Sequence, residues 1–151
     1  MGSPSIPVGV GLRTVDVVVG VILVNGKFLA EKRRADENID PDITCLPGGH
    51  VEPKETKVNA LKREMKEELS IDVSKPKFIR RERWVASNGE KQNVHYYLVS
   101  GFRGEPVCRT AEALLWTDNV DNLDVEMDRR AVEKGKAMLE SAGKATGRVS
   151  C

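Results

Sequence analysis

Residues 49–71 read GHVEPKETKVNALKREMKEELSI. Val58, Leu61, Met65 and Leu69 recur at helical spacing, so a helix over about Thr56 to Leu69 puts them on one face. On that helix Glu64, Glu67 and Glu68 share a sector of roughly 100° beside the apolar stripe. Glu64 sits three residues before Glu67 and four before Glu68, separations at which like charges weaken a helix. Arg63, four residues before Glu67, gives that acid a partner, whereas neither Glu64 nor Glu68 has a Lys or Arg three or four positions away. The acids also lie toward the helix C-terminus, which the macrodipole disfavours. A solvated charged face is one explanation, natural in a chain with 31% charged residues. The other is a missing cation. Grouped carboxylates suit a hard ion such as Mg²⁺ or Mn²⁺. Gly48-Gly49 upstream favours this second explanation, because glycines allow close backbone approach and a carbonyl there adds an oxygen donor.

Working outward, the β-branched run TVDVVVGVILV from Thr14 meets Asn25-Gly26 and then KFLAEKR. Asn-Gly between two apolar runs predicts a hairpin, since both turn residues accept positive φ. Arg34 to Pro41 reads as a polar loop, and Ile43 to Leu46 as a short strand running into Pro47-Gly48-Gly49. Beyond Pro76, FIRRERWVA and NVHYYLVSGF flank Asn88-Gly89 and predict a second, longer hairpin. ALLW after Glu112 is a further short strand. A final amphipathic helix begins at Asp124 or Asp128, turns Ala131, Val132, Gly135, Met138 and Leu139 inward, and stops at Gly143. Strands and helices alternating in this way predict an α/β fold with a mixed sheet. The expected organisation is a flexible segment 1–12, one domain over 13–142, and a flexible tail 143–151.

The 151 residues carry 24 Lys+Arg against 23 Asp+Glu, a net charge of +1, so no global positive field would hold a nucleic acid polymer. The longest apolar run, Val17 to Val24, is too short to cross a bilayer core. The opening MGSPSIPVGVG lacks the basic start and apolar stretch of a signal peptide, and Ile6 misfits a myristoylation site. Cys45, Cys108 and Cys151 have no metal-like spacing and read as reduced thiols. The expectation is a soluble cytoplasmic protein, a monomer or homodimer, with no membrane partner.

Gly49, five residues, Glu55, seven residues, Arg63-Glu64, aliphatic Met65, one residue, Glu67-Glu68, one residue, then Ser70 and aliphatic Ile71 form a pattern that resembles the Nudix box. Only Ser70 departs from it, where the family has glycine. That glycine caps the helix in the left-handed region, so serine should cost about 1 kcal/mol or shift the helix end. The resemblance implies an α/β/α sandwich around a mixed sheet. It implies that Glu64, Glu67 and Glu68 hold a divalent metal, Mg²⁺ or alternatively Mn²⁺, with the Gly48 carbonyl as a further ligand. It also implies that Glu55 and Arg63 form an ion pair clamping the loop to the helix. The general base would be a box glutamate, Glu67, or a glutamate on a later loop, for which Glu112 is the candidate; Glu55, Arg63, Glu67 and Glu112 are thus the expected catalytic set. The implied reaction is MutT-like: metal-dependent hydrolysis of a nucleoside triphosphate, or another nucleoside diphosphate-linked compound, at a pyrophosphate bond. Charge neutralisation and positioning are most of what such a transfer needs. The alternative is a Nudix-fold nucleotide-binding or regulatory module that does not hydrolyse, for which Ser70 is the only support.

Substrate marks are sparse. Relatives that read an oxidised guanine use an asparagine beyond the Trp116-like position; here that stretch is Glu126-Met127-Asp128-Arg129, and Asn119 and Asn122 fall too early. Ser87 stands where a proline would suggest ADP-ribose, and Tyr96 and Tyr97 come later than the tyrosine that marks dinucleoside polyphosphates. Arg33, Arg34, Arg81 and Arg83 could meet phosphates, although strand-edge charge is usually solvation. Trp84, Tyr96, Tyr97 and Phe102 are stacking candidates better read as packing, as are His95 and Cys45. His50 and Glu52 are assigned to the loop.

Overall fold

The computed structural model describes residues 14–150, with side chains to residue 142, so the expected segment 1–12 lies outside the described residues. β1 (Thr14–Val24) and β2 (Lys27–Lys32) form the first hairpin, with Asn25 at φ 52° and Gly26 at φ 81° as the Asn-Gly turn requires. The two strands pair only next to the turn, at Leu23↔Phe28 and Val24↔Lys27, and then part. Residues 44–50 fill the fork: β3 (Thr44–Cys45) pairs with β2, and β4 (Gly48–His50) pairs with β1. Between them the Pro47 carbonyl accepts the Gly20 N–H at 2.9 Å. The expected strand Ile43 to Leu46 is therefore trimmed to two residues. Gly48-Gly49, read from sequence as a linker between strand and helix, lies within a paired strand.

The second hairpin, β6 (Lys77–Val85) and β7 (Lys91–Val99), joins the sheet through β7, which runs parallel to β1 from Thr14↔Lys91 to Ile22↔Val99. β9 (Ala113–Thr117) covers the outer edge of β2, and β5 (Asp72–Val73) pairs with β8 (Phe102–Arg103) as a separate ribbon. The main sheet thus has the order β3-β2-β1-β7-β6 and is mixed, as expected.

Alternation along β1 builds two cores. Val18 and Ile22 face α1 (Lys57–Leu69), where they meet Leu61, Met65 and Leu69. Val17, Val19, Val21 and Leu23 face α2 (Glu126–Ser150), where they meet Ala131 and Val132. The result is the α/β/α sandwich. Gly20 brings α1 onto the sheet, for a Cβ there would lie 3.3 Å from Met65 Sδ.

Both ends of α1 follow from local chemistry. Thr56 Oγ1 accepts the Asn59 N–H at 3.1 Å as an N-cap. At the other end Ser70 adopts the left-handed conformation, φ 59° and ψ 33°, and donates its N–H to Lys66 O at 3.0 Å. The serine therefore does not shift the helix end. The β8–β9 loop holds it in place: Val107 N–H donates to Leu69 O at 2.8 Å, Arg109 N–H to Glu68 O at 3.2 Å, and Arg109 Nη1 to Ser70 Oγ at 3.1 Å. α2 starts at Glu126, between the two positions proposed from sequence, while Asp124 ties Thr44 down through its Oδ2 at 2.8 Å. Gly143 does not end this helix, which runs on to Ser150 through the stretch read as a tail. A lone glycine weakens a helix by about 1 kcal/mol but does not by itself stop one. Among the described residues no helix is long and apolar enough to cross a membrane.

Candidate active site

The side chain that organises the signature loop is Arg63. Its Nε and Nη2 grip Glu55 at 2.7 and 2.9 Å, and Nη2 also donates to the His50 carbonyl at 3.0 Å. Glu55 Oε1 in turn accepts the Glu52 N–H at 2.9 Å. The Arg63 hydrogen bonds hold the Glu55 carboxyl down at about 2. The expected clamp is thus present. Arg63 does more than expected, because its Nη1 reaches Glu64 Oε2 at 3.0 Å and Glu67 Oε1 at 3.2 Å. Glu64 consequently has a basic partner, contrary to the reading from helical spacing. Neighbouring side chains on a helix point apart, but a guanidinium drawn back toward Glu55 crosses that gap.

Glu64 lies against β4, where a Cβ on Gly49 would fall 2.2 Å from the Glu64 carboxyl carbon. Glycine at 49 is therefore a steric condition for the acid to lie on the strand. Gly48 is equally constrained, since a Cβ there would sit 2.2 Å from Val18 O. Glu68 differs from the other two. It has no basic partner, and its Oε1 is buried without a hydrogen bond. Burial, then the neighbouring Glu31 and Glu64, push it up to about 10. Glu31, on β2, is 4% exposed and also has a buried Oε1 without a partner; burial raises it to about 7. Among the described residues no three His, Cys, Asp or Glu side chains already stand as a ligand set. The orphaned oxygens of Glu31 and Glu68, beside Glu64, are nevertheless the donors that a hard cation takes up.

These groups line a cleft of about 550 Å³. Glu31, Glu64, Glu67, Glu68, Gly48 and Gly49 line it together with the apolar Val17, Val19, Ile43, Trp84, Val94 and Met127. Asp128 lines it too, its Oδ1 accepting the Tyr96 hydroxyl at 2.5 Å and its Oδ2 the Leu46 N–H at 3.1 Å. The Trp84 Nε1–H donates to Asp40 Oδ2 at 3.0 Å, and Asp40 exchanges hydrogen bonds with Ser87, which ties the 34–42 loop to the second hairpin.

The structure thus gathers Glu55, Arg63, Glu64, Glu67, Glu68 and Gly48. It does not bring Glu112 to them: that side chain is exposed at the start of β9, while Thr110 and Ala111 just before it line the cleft. Of the four arginines, only Arg33 lines the cleft, and its guanidinium is committed to the Ile39 and Asp40 carbonyls. Arg34 pairs with Asp36, and Arg81 and Arg83 are exposed on β6. Tyr97 and Phe102 pack in the α1-side core, His95 pairs with Asp16 at 2.9 Å, and Cys45 is half-buried in the cleft wall rather than enclosed. His50 Nε2 lies 2.7 Å from Glu90 Oε1. Asn119 and Asn122 are used in the 3-10 turn before α2. Glu31 was missed by sequence reasoning, although its period-two spacing from the buried Leu29 places both on the α1 side.

Comparison with known proteins gives a consistent set of relatives. The family model described as NUDIX domain matches residues 14–131. The CTP pyrophosphohydrolase of Escherichia coli (strain K12) is 30% identical over 105 residues, covering 70% of this chain and 76% of that protein. The nucleoside triphosphatase NudI of Enterobacter sp. (strain 638) is 40% identical over 58 residues, 38% of this chain, and the match spans 41% of that relative's length. Among solved structures, the MutT NUDIX hydrolase from Burkholderia pseudomallei is similar with a TM-score of 0.72 at 28% identity, covering 81% of this chain and 98% of that one.

Proposed function

The chain belongs to the NUDIX family of hydrolases acting on phosphoric anhydrides, and from that premise we propose that it cleaves a nucleoside triphosphate at a pyrophosphate bond with the help of Mg²⁺ or Mn²⁺. The observation that carries this reading is Glu68, half-buried beside Glu64 with a buried oxygen that no described residue satisfies. Glu64, Glu67 and Glu68 would hold the ion, with the Gly48 carbonyl as a further donor. When bound, the ion would neutralise pyrophosphate oxygens and acidify the attacking water. Glu67, the most exposed acid of the three with 58% of its side chain accessible, is the proton acceptor that lies within the cleft. Arg63 and Glu55 hold the 50–56 loop on α1, so that Gly49 stays under Glu64.

The cleft has the volume for a nucleotide and both acidic and apolar lining residues. A triphosphate held by its phosphates through the ion would place its base toward Trp84 and Met127. The two sequence relatives are named for CTP and for nucleoside triphosphates, which supports that substrate class. Ser70, the sole support for a module without hydrolysis, leaves the helix end intact and so gives that alternative no help.

The test is a panel of ribo- and deoxyribonucleotides incubated with Mg²⁺, with monophosphate and pyrophosphate measured as products. The expected result is turnover of at least one triphosphate, reduced roughly a hundredfold or more in Glu67→Gln. Turnover no faster than that of Glu67→Gln across the whole panel would overturn the assignment.

A further inference from the structure

We propose that Glu31, a strand residue outside the signature helix, is an additional carboxylate donor to the divalent ion held by the helix acids. The proposal rests on the metal-dependent reading above. Glu31 lies on β2 opposite Cys45 of β3 on one side and Leu114 of β9 on the other, so its backbone is fixed on both edges. Leu29, two residues earlier, packs in the core beneath α1, and the alternation of the strand sends Glu31 toward the C-terminal half of that helix. There the residue is 4% exposed, lines the same cleft as Glu64, Glu67 and Glu68, and keeps a buried Oε1 with no partner among the described residues.

A buried carboxylate with no donor is costly, and a second acid facing it raises the cost. A strand position with Leu29 and Ala30 before it would accommodate an apolar residue at no such cost. The charge of Arg33 offsets part of this cost but supplies no hydrogen bond, because the Arg33 Nε and Nη2 donate to the Ile39 and Asp40 carbonyls and to Glu37. Two orphaned carboxylate oxygens, one from the strand and one from Glu68 on the helix, converge on the cleft from different elements. A hard cation that prefers several oxygen ligands satisfies both at once and neutralises their charge as well. The helix then supplies part of the site and the strand the rest, so the ion would also tie α1 to β2.

Mn²⁺ alone is the probe, titrated into the full chain and followed by water-proton relaxation, alongside thermal unfolding in EDTA. Glu31→Gln keeps the side-chain volume and should weaken Mn²⁺ binding roughly tenfold or more. Its midpoint in EDTA should be equal to or higher than that of the unmodified protein, because an unpaired charge is removed; a merely structural Glu31 would instead lower that midpoint and leave Mn²⁺ affinity unchanged. Glu31→Asp keeps the charge but shortens the reach, so it should weaken binding as well, and it serves if the glutamine variant does not fold. Unchanged affinity in the Glu31 variants, with binding weakened in Glu68→Gln, overturns the proposal and leaves the helix acids as the site. Failure of the unmodified chain to bind Mn²⁺ overturns both readings.

Discussion

Two acidic groups line one cleft, and their hydrogen-bonding surroundings have little in common. Asp128, 5% exposed, has both oxygens satisfied, by the Tyr96 hydroxyl and the Leu46 N–H. Glu31 and Glu68 face other acids, and each keeps an oxygen that no donor reaches. Burial raises all three carboxyls above their ordinary values, Asp128 to about 6, Glu31 to about 7 and Glu68 to about 10. At Asp128 two hydrogen bonds offset part of that rise; at Glu31 and Glu68 the charge of Arg33 works against it without a hydrogen bond, and the neighbouring acids add to it. Burial alone therefore does not distinguish a structural acid from a ligand. The supply of donors does differ: described residues satisfy both oxygens of Asp128 and leave one oxygen each of Glu31 and Glu68 without a donor.

The contrast is broken most directly at the satisfied acid. Asp128→Ala strands a buried hydroxyl and a buried N–H together and opens a small void, so it should cost about 3 kcal/mol of stability. Urea denaturation read by tryptophan fluorescence and by circular dichroism measures it. Near-zero cost would mean that the Asp128 hydrogen bonds do not hold the cleft together, and the satisfied and unsatisfied acids would no longer differ in kind.

The pH dependence sharpens the same comparison. A carboxyl raised in the folded state holds its proton there after the unfolded chain has lost it, so stability falls as pH rises from the ordinary 4.5 toward about 7 for Glu31, and onward toward about 10 for Glu68. Glu55 works in the opposite direction: lowered to about 2 by Arg63, it contributes stability above pH 4.5 that is lost as pH falls toward 2. In EDTA the protein should be most stable near pH 5, with a limb on each side. Glu31→Gln should remove on the order of 2 kcal/mol from the alkaline limb while the acid limb stays. Asp128 leaves part of the alkaline limb in place in that variant. Saturating Mg²⁺ should flatten the alkaline limb, since an ion that takes the ionised acids favours the folded chain where they ionise. An alkaline limb that is the same in Glu31→Gln and in Mg²⁺ would show that neither acid carries an uncompensated charge.

What the sequence reveals and what it hides divide along local and non-local physics. Both Asn-Gly hairpins and the α1 stripe from Val58 to Leu69 depend on residues close in sequence and are legible there, whereas the Glu55–Arg63 clamp is implied by the resemblance to the Nudix box rather than by spacing. Glu31 is hidden because KFLAEKRR looks like ordinary charge alternation until β2 is placed between β3 and β9 with α1 above it. The strand character of Gly48-Gly49 is hidden for the same reason: it depends on the fork between β1 and β2. Arg63 reaching Glu64 escapes the three-and-four rule because that rule describes side chains that follow the helix surface, not one pulled aside by Glu55.

The smallest effect tests whether the orphaned oxygen of Glu68 reflects its surroundings or a disturbed helix end. Ser70 holds φ 59°, where a residue with a side chain costs about 1 kcal/mol relative to glycine. Ser70→Gly removes that strain, gives up the exposed hydrogen bond from Arg109 Nη1, and gains a little chain entropy in the unfolded state. The net should be a stabilisation of about 0.5 kcal/mol in thermal or urea unfolding. Mn²⁺ affinity should not change, because Val107 and Arg109 hold the last carbonyls of α1 through their backbone N–H groups whichever residue occupies position 70. If affinity instead rises several-fold, serine is displacing Glu68, and the difference between Glu68 and Asp128 would come from a strained cap rather than from where the fold supplies its donors.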